Sequence, residues 1–387
     1  MRALYEIISA YELAVATGKR TALATVVHVE GSSYRRPGAR MLVDDEGNIT
    51  GAISGGCLEG DALKKALLVI AKQEAKLVTY DTSNETDMSI GIQLGCEGVI
   101  QVLFEPINEK LENNPIDILR KALQQTSSVV VTYFDLKNKN KDQLGTCLFF
   151  DGHTFEVSSL APGFLSDSLS KDIKETYNNQ STQFIAYQHP TEMLFAFLEY
   201  ITAPIQLIVV GAGNDAIPLT KIASILGWNT LVIDGRDAYA KKERFEASCQ
   251  VMLMKPEELM QKVAINDHTA FVMVTHNYNY DKAILQHLLP LKPTYIGMLG
   301  PKKKLNRMLD DLTNQGMSIT DEMMENVYGP TGLDIGAESP DEIALSIIAE
   351  IQAVMQGKHG GFLRAKTEVI HNRERNIFRT KLLPGEK

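Results

Sequence analysis

The sequence predicts an α/β protein: an N-terminal α+β domain followed by a Rossmann-like domain with a doubly wound parallel sheet. Three observations lead there. The apolar run Leu207–Val210 stops at Gly211, and Gly213 and Ala216 follow at the spacing Gly-x-Gly-x-x-Ala. An amphipathic stretch (Ile217, Leu219, Ile222, Ile225, Leu226) comes next, so the segment reads as strand, tight turn, helix. A second run, Thr230–Asp234, ends in an acid about 20 residues on, where a dinucleotide fold hydrogen-bonds a ribose 2′-hydroxyl. From residue 205 strand-like runs near 205–210, 229–234, 269–275 and 294–298 alternate with helical patterns, the rhythm of βαβ units. An α/β turn that holds no nucleotide is the other reading of the same residues.

The chain of 387 residues allows two or three domains, and 44% hydrophobic with 22% charged residues is ordinary for a globular protein. No uncharged apolar window is long enough to span a membrane, and the acid-containing, amphipathic N-terminus does not read as a secretory signal. A net charge of −9 argues against general nucleic-acid binding. Four scattered cysteines, with no Cys-x-x-Cys, give no metal-site pattern and fit free thiols in a reducing cytoplasm.

Taken in order, residues 1–17 place Leu4, Ile7, Ile8, Tyr11 and Val15 at helical spacing, with Gly18 as the stop. Thr21–Val29 reads as a buried strand, followed by a Gly/Ser/Arg loop over 30–40. Met41–Val43 and Ile49–Ser54 flank a polar turn and predict a hairpin. Gly55, Gly56 and Cys57 lead into a helix (Leu58, Ala62, Leu63, Ala66, Leu67, Ile70), then a strand at 76–80 and a polar stretch before the strand Val99–Phe104. Between 106 and 204 strands are expected near 127–134, 145–150 and 195–201, with a polar helix near 165–177; nothing there names a chemistry. Near the end, Ser339, Pro340 and Glu342 form a capping box ahead of an apolar face that stops at Gly357. The expected divisions are 1–203, 204–357 and a basic tail, 358–387, with eight Lys or Arg against three Glu.

Ligands of an open parallel sheet sit beyond the carboxyl ends of its strands. Thr275–Tyr278, Gly297–Lys304 and Gly332–Gly336 should converge there. His276 is a proton shuttle or ligand donor, or equally a histidine satisfied by its loop; Lys302–Lys304 hold phosphate or simply face solvent. In the N-terminal half, Cys57 follows two glycines at a helix start, where free N–H groups and the dipole favour a thiolate. Cys96 lies in a second glycine-bracketed loop, and Arg35, Arg36 and Arg40 occupy a third that suits an anion. Each cysteine is otherwise a small buried hydrophobe, the reading kept for Cys147 and Cys249.

These residues resemble a known family. Gly31–Met41 and Ser54-Gly-Gly-Cys-Leu-Glu59 are similar to the N-terminal signatures of the xanthine dehydrogenase accessory proteins, the XdhC/CoxI family. The second half matches in Gly211–Ala216, Thr275–Tyr278, Tyr295–Pro301 and Gly332–Glu338, and the resemblance covers roughly residues 20–105 and 205–350. It implies a cytoplasmic maturation factor rather than a dehydrogenase. Such a factor binds a molybdopterin-type molybdenum cofactor, protects it while its sulfido ligand is installed, and delivers it to a xanthine dehydrogenase-like apoenzyme. A sulfur-donating desulfurase and a second copy of the chain are the further partners implied. The cofactor-binding residues expected from motif and resemblance together are Gly55, Gly56, Cys57, Arg35, Arg40, Cys96, Gly211, Gly213, Asp234 and His276. Tyr34, Asn214 and Glu97 depart from the family pattern, and Glu97 sets a negative charge beside Cys96. The alternative is an NAD(P)-dependent oxidoreductase, with Asp234 favouring NAD and His276 as acid/base.

Overall fold

The computed structural model describes residues 2–31, 35–56, 58–81, 98–124, 126–139, 141–158, 166–188, 193–246, 249–367 and 378–382. The chain divides into two compact units, the first made of Ala3–Ala203 with the C-terminal residues from 372 and the second of Pro204–His371 with the first two residues. No helix among the described residues is long and apolar enough to cross a membrane.

The first unit opens with α1 (Arg2–Ala16), which buries the stripe Ile7, Ile8, Tyr11 and Ala14. Next come β1 (Thr21–Gly31), β2 (Arg40–Asp44), β3 (Ile49–Gly51), α2 (Glu59–Lys72), β4 (Lys76–Asp81) and β5 (Gly98–Ile107). The five strands form an antiparallel sheet ordered β3-β2-β1-β5-β4. The β2–β3 hairpin is closed by Asp44, whose Oδ1 accepts from the N–H groups of Glu46 and Asn48. Then follow α3 (Pro115–Ala122), β6 (Ser128–Phe134), β7 (Gly145–Phe150), β8 (Phe155–Val157), α4 (Asp167–Asn178), β9 (Gln183–Gln188) and β10 (Met193–Ile201). They build a second sheet, β9-β10-β6-β7-β8, antiparallel throughout.

Apolar residues on both faces of β1 explain its unbroken hydrophobic run. Ala22, Ala24 and Val26 pack with Ala62, Ala66 and Val69 of α2. Across a register shift after Val26, Val27 joins Leu103, Phe134, Phe184 and Phe197 in a core shared by the two sheets. The far face of the second sheet packs on Leu169 and Ile173 of α4.

The second unit contains β11 (Gln206–Val210), α5 (Ala216–Leu226), β12 (Asn229–Asp234), β13 (Gln250–Leu253), α6 (Leu259–Lys262), β14 (Thr269–Met273), α7 (Tyr278–Leu288) and β15 (Tyr295–Met298). It continues through α8 (Lys302–Asn314), α9 (Asp321–Met324), β16 (Val327–Tyr328) and α10 (Pro340–Met355). Its strands are all parallel in the order β13-β12-β11-β14-β15-β16. Numbered within the unit this is 3-2-1-4-5-6, the Rossmann order, with its switch point between β11 and β14. Successive β11 residues serve opposite cores: Leu207 and Val209 pack with α5 and α10, Ile208 and Val210 with α7 and α8.

Two features differ from the sequence expectation. The β12–β13 crossover carries no α-helix among its described residues, only the 3₁₀ turn Lys242–Arg244. Within the stretch after 357, β17 (Arg379–Leu382) does not stand apart: it adds to β9 in parallel as the edge of the second sheet. Lys381 pairs with the buried Asp172, and Phe378 lies 4.4 Å from the His28 ring.

Candidate functional site

Two candidate regions arise, one in each unit. In the first unit, Ser54 organises the turn before α2. Its Oγ accepts from the N–H groups of Gly56 and Leu58, both at 3.1 Å, and donates to Glu59. The Ser54 N–H donates to Glu59 Oε1 at 2.8 Å. Burial works against ionisation of Glu59, yet the donors from Ser54 and the backbone hold its carboxyl below the ordinary range. The turn is thus pinned at both ends, while Gly55 and Gly56 between them are exposed. Gly56 adopts φ +111°, and a Cβ built there would meet nothing within 4 Å among the described residues. Arg35 is exposed and donates from Nε to the Ser54 carbonyl at 3.1 Å, which sets a cation beside this open turn. Cys57 and Cys96 lie outside the described residues.

Arg40 is placed elsewhere, against the expectation that it meets an anion. Its guanidinium is buried, ion-paired with Glu199 of β10 and donating to the Gly38 carbonyl at 3.0 Å. The pair joins the two sheets of the unit, so the charge faces inward. Cys147 and Cys249 are buried free thiols; burial pushes Cys147 far up and Cys249 up to about 11.

In the second unit, the loops after β11, β12 and β14 meet at the switch point. Gly211 has φ +116°, and a Cβ there would fall 2.7 Å from the Thr275 backbone, so the glycine is demanded by the neighbouring strand end. A Cβ at Gly213 would meet nothing within 4 Å among the described residues. Asp234 closes β12 as expected from its spacing, but its oxygens are occupied. Oδ1 accepts from the N–H and Nε of Arg236, both at 2.9 Å; Oδ2 accepts from the Ala212 N–H and from Arg236 Nη2, both at 2.8 Å. Burial opposes its ionisation, and these donors more than offset it, holding the carboxyl low.

His276 adopts φ +56°, rare for a residue with a side chain, and its Nε2 lies 2.7 Å from Asp215 Oδ2. Asp215 therefore orients the exposed imidazole instead of capping α5, at whose N-terminus it makes no cap bond. Next to it, Thr275 and Lys304 both bond the fully buried Asp281, at 2.5 and 2.7 Å. That commits Lys304 within the fold and leaves Lys302 and Lys303 exposed. Thr331 N–H donates to the Met298 carbonyl at the end of β15 at 3.1 Å, and the N–H of Gly332 donates to Glu350 of α10. Asp215, Arg236, Tyr239 and Arg244 do not stand out in the sequence. The one signal is an arginine two residues past the strand-ending acid.

Comparison with known proteins agrees with this architecture. The profile of the XdhC Rossmann domain matches residues 207–351, and that of the XdhC and CoxI family matches residues 14–81. A Bacillus subtilis (strain 168) protein described as a probable xanthine dehydrogenase subunit is 31% identical over 329 residues, 85% of this chain and 91% of that protein. The molybdenum cofactor insertion chaperone PaoD of Escherichia coli (strain K12) is 22% identical over 342 residues, 88% of this chain and 85% of its own. A crystal structure of a protein described as a xanthine dehydrogenase, from Bacillus halodurans, superposes with a TM-score of 0.69 at 30% identity. It covers 92% of this chain and 97% of its own.

Proposed function

The chain belongs to the XdhC and CoxI family, and on that premise we propose that it holds a molybdopterin-type molybdenum cofactor and passes it to a xanthine dehydrogenase-type apoenzyme. Protection of the cofactor during sulfuration by a desulfurase, and action as a dimer, belong to the same reading. The observation that carries it is the turn before α2: exposed main chain at Gly55 and Gly56, room above Gly56 among the described residues, a cation at Arg35, and Cys57 as the next residue. The donor set fits a large anionic group with a thiol-binding metal, because Glu59, the nearest acid in sequence, has its carboxylate turned onto Ser54. The cofactor when bound would supply the redox chemistry that the client enzyme needs. The residues of this chain would hold it: N–H groups of the glycine turn and Arg35 on its oxygens, Cys57 against the metal.

Protein purified from cells with intact cofactor synthesis should carry close to one molybdenum and one pterin per chain, read by metal analysis and by fluorescence of the oxidised pterin. Cys57→Ala should lower that occupancy about tenfold, the scale of one lost ligand interaction. Wild-type protein free of both molybdenum and pterin would refute the proposal.

A second reading, nucleotide binding in the Rossmann unit with His276 as a proton-transfer group, is favoured by the strand order and by the Asp215–His276 pair at the switch point. Titration with NAD(H) and NADP(H) decides it, and absence of binding by all four removes it.

A further inference from the structure

The corner of the Rossmann unit beyond β12 does not offer what a ribose diol needs. A carboxylate has about four acceptor positions. Asp234 spends all of them on donors of its own chain and is buried. What the corner turns outward is Arg236. Its Nε–Nη2 edge grips Asp234, which leaves the Nη1–Nη2 edge as a second planar fork. Nη1 carries no hydrogen bond among the described residues, and the side chain is 41% exposed. The guanidinium carbon sits 4.1 Å from the centroid of Tyr239, itself exposed, which fixes the plane of the fork.

Charge agrees with shape. Asp234 and Arg236 cancel, and Arg244 adds a cation 5.5 Å from the same ring. The hydrogen bonds of Arg244 among the described residues all go to neutral oxygens: the carbonyls of Ala212 and Tyr239 and the amide of Asn214. Across Asp234–Glu246 four bases (Arg236, Lys241, Lys242, Arg244) balance four acids (Asp234, Asp237, Glu243, Glu246), so what the corner offers an anion is the two guanidinium groups gathered on Tyr239 rather than a net positive loop. Asn214 keeps Arg244 against the turn, and the absence of a crossover helix among the described residues leaves the Arg236–Arg244 loop to form this wall.

We propose that Arg236, Tyr239 and Arg244 form a binding site for a phosphate monoester, with the free fork of Arg236 as its bidentate ligand. In Rossmann folds this position faces the adenosine ribose, where an arginine accommodates a 2′-phosphate. Two sources carry that group: the 2′-phosphate of a dinucleotide and the terminal phosphate of a pterin cofactor. The proposal does not depend on the turn at Cys57.

The test is calorimetry or fluorescence titration of the full chain with two matched pairs. One is NADP⁺ against NAD⁺; the other is the oxidised fluorescent pterin of the cofactor with and without its phosphate. The phosphorylated member of at least one pair should bind about tenfold tighter or more, equivalent to one good charge-assisted contact. Whichever pair shows the preference names the source. Arg236→Gln should bring the preference to within about threefold, and Arg244→Gln should halve it or more; Arg244→Gln, which does not touch Asp234, should leave NAD⁺ or dephospho-pterin binding unchanged. Equal binding within both pairs overturns the proposal, as does a preference that survives both substitutions. The wild-type comparison decides even where a variant fails to fold.

Discussion

Glu105 on β5 is fully buried, and Thr146 of the facing sheet donates to it from its N–H at 2.6 Å and its hydroxyl at 2.9 Å. Burial pushes its carboxyl up to about 7, against the pull of Thr146 and the nearby Arg40. The consequence for stability has a definite sign. Below pH 4.5, the ordinary value, both folded and unfolded chains are protonated. As pH rises from there to about 7, the unfolded carboxyl ionises and the folded one does not, so stability is lost across that window. Wild-type protein should lose on the order of 3 kcal/mol of stability through it. Glu105→Gln should flatten the profile, as read by denaturant titrations at several pH values; parallel profiles would disprove the assignment. Arg40 belongs to this inward-facing group. Its place in an Arg-rich loop reads as an anion ligand, and only the fold reveals Glu199, 159 positions away, as its partner. The same holds for Asp234: its spacing marks the position, but the saturation of its oxygens depends on how Arg236 and the turn at Ala212 close over it.

At the level of elements, the strands legible in the sequence are those buried by a regular pattern. β1, β6, β7, β11, β12, β14 and β15 are runs of apolar or β-branched residues, and α10 carries its complete capping box, with Ser339 Oγ accepting from Glu342 N–H. β8 and β16 span three and two residues, and β13 is half exposed, so none has a period to read. α3 does have a local signal, outside the expected elements: Asn114 accepts from Ile116 and Asp117 as N-cap, and Pro115 is the first helical residue. The phosphate-type turn is recognisable by its glycines, yet the two have different duties. Gly211 is required by the Thr275 backbone, and Gly213 by no neighbour within 4 Å among the described residues. Gly211→Ala should cost about 3 kcal/mol or more, through clash and positive φ together, whereas Gly213→Ala should cost about 1 kcal/mol or less. Thermal melts of both variants check this, and equal losses would contradict the geometry. A methyl at 213 would then serve as a clean probe of ligand approach.

For the molecule as a whole, the first unit is discontinuous in sequence, with the Rossmann unit set between β10 and β17. Asp172, 1% exposed, accepts from Tyr187 at 2.7 Å and from Lys381 of β17. Removing residues 378–387 leaves that carboxylate without its cation and takes from β9 its outer partner, so that it pairs with β10 alone. The first unit should lose about 2 kcal/mol or more, with a fall of several degrees in its melting transition. The Rossmann transition should stay in place. Calorimetry resolves the two, and a shift confined to the Rossmann transition would oppose this assignment.

The parallel pairing of β17 with β9 also bears on synthesis. A ribosome delivers β1 to β10 first, then the whole Rossmann unit, and only afterwards the strand that covers β9. Throughout that interval the nascent first domain shows a bare sheet edge, the kind of surface that invites strand pairing with other chains. Arrival of β17 closes that edge, so a chain cut short by damaged message or stalled translation leaves it open. In such a chain the outer edge of β9 lacks the partner that β17 supplies in the full chain.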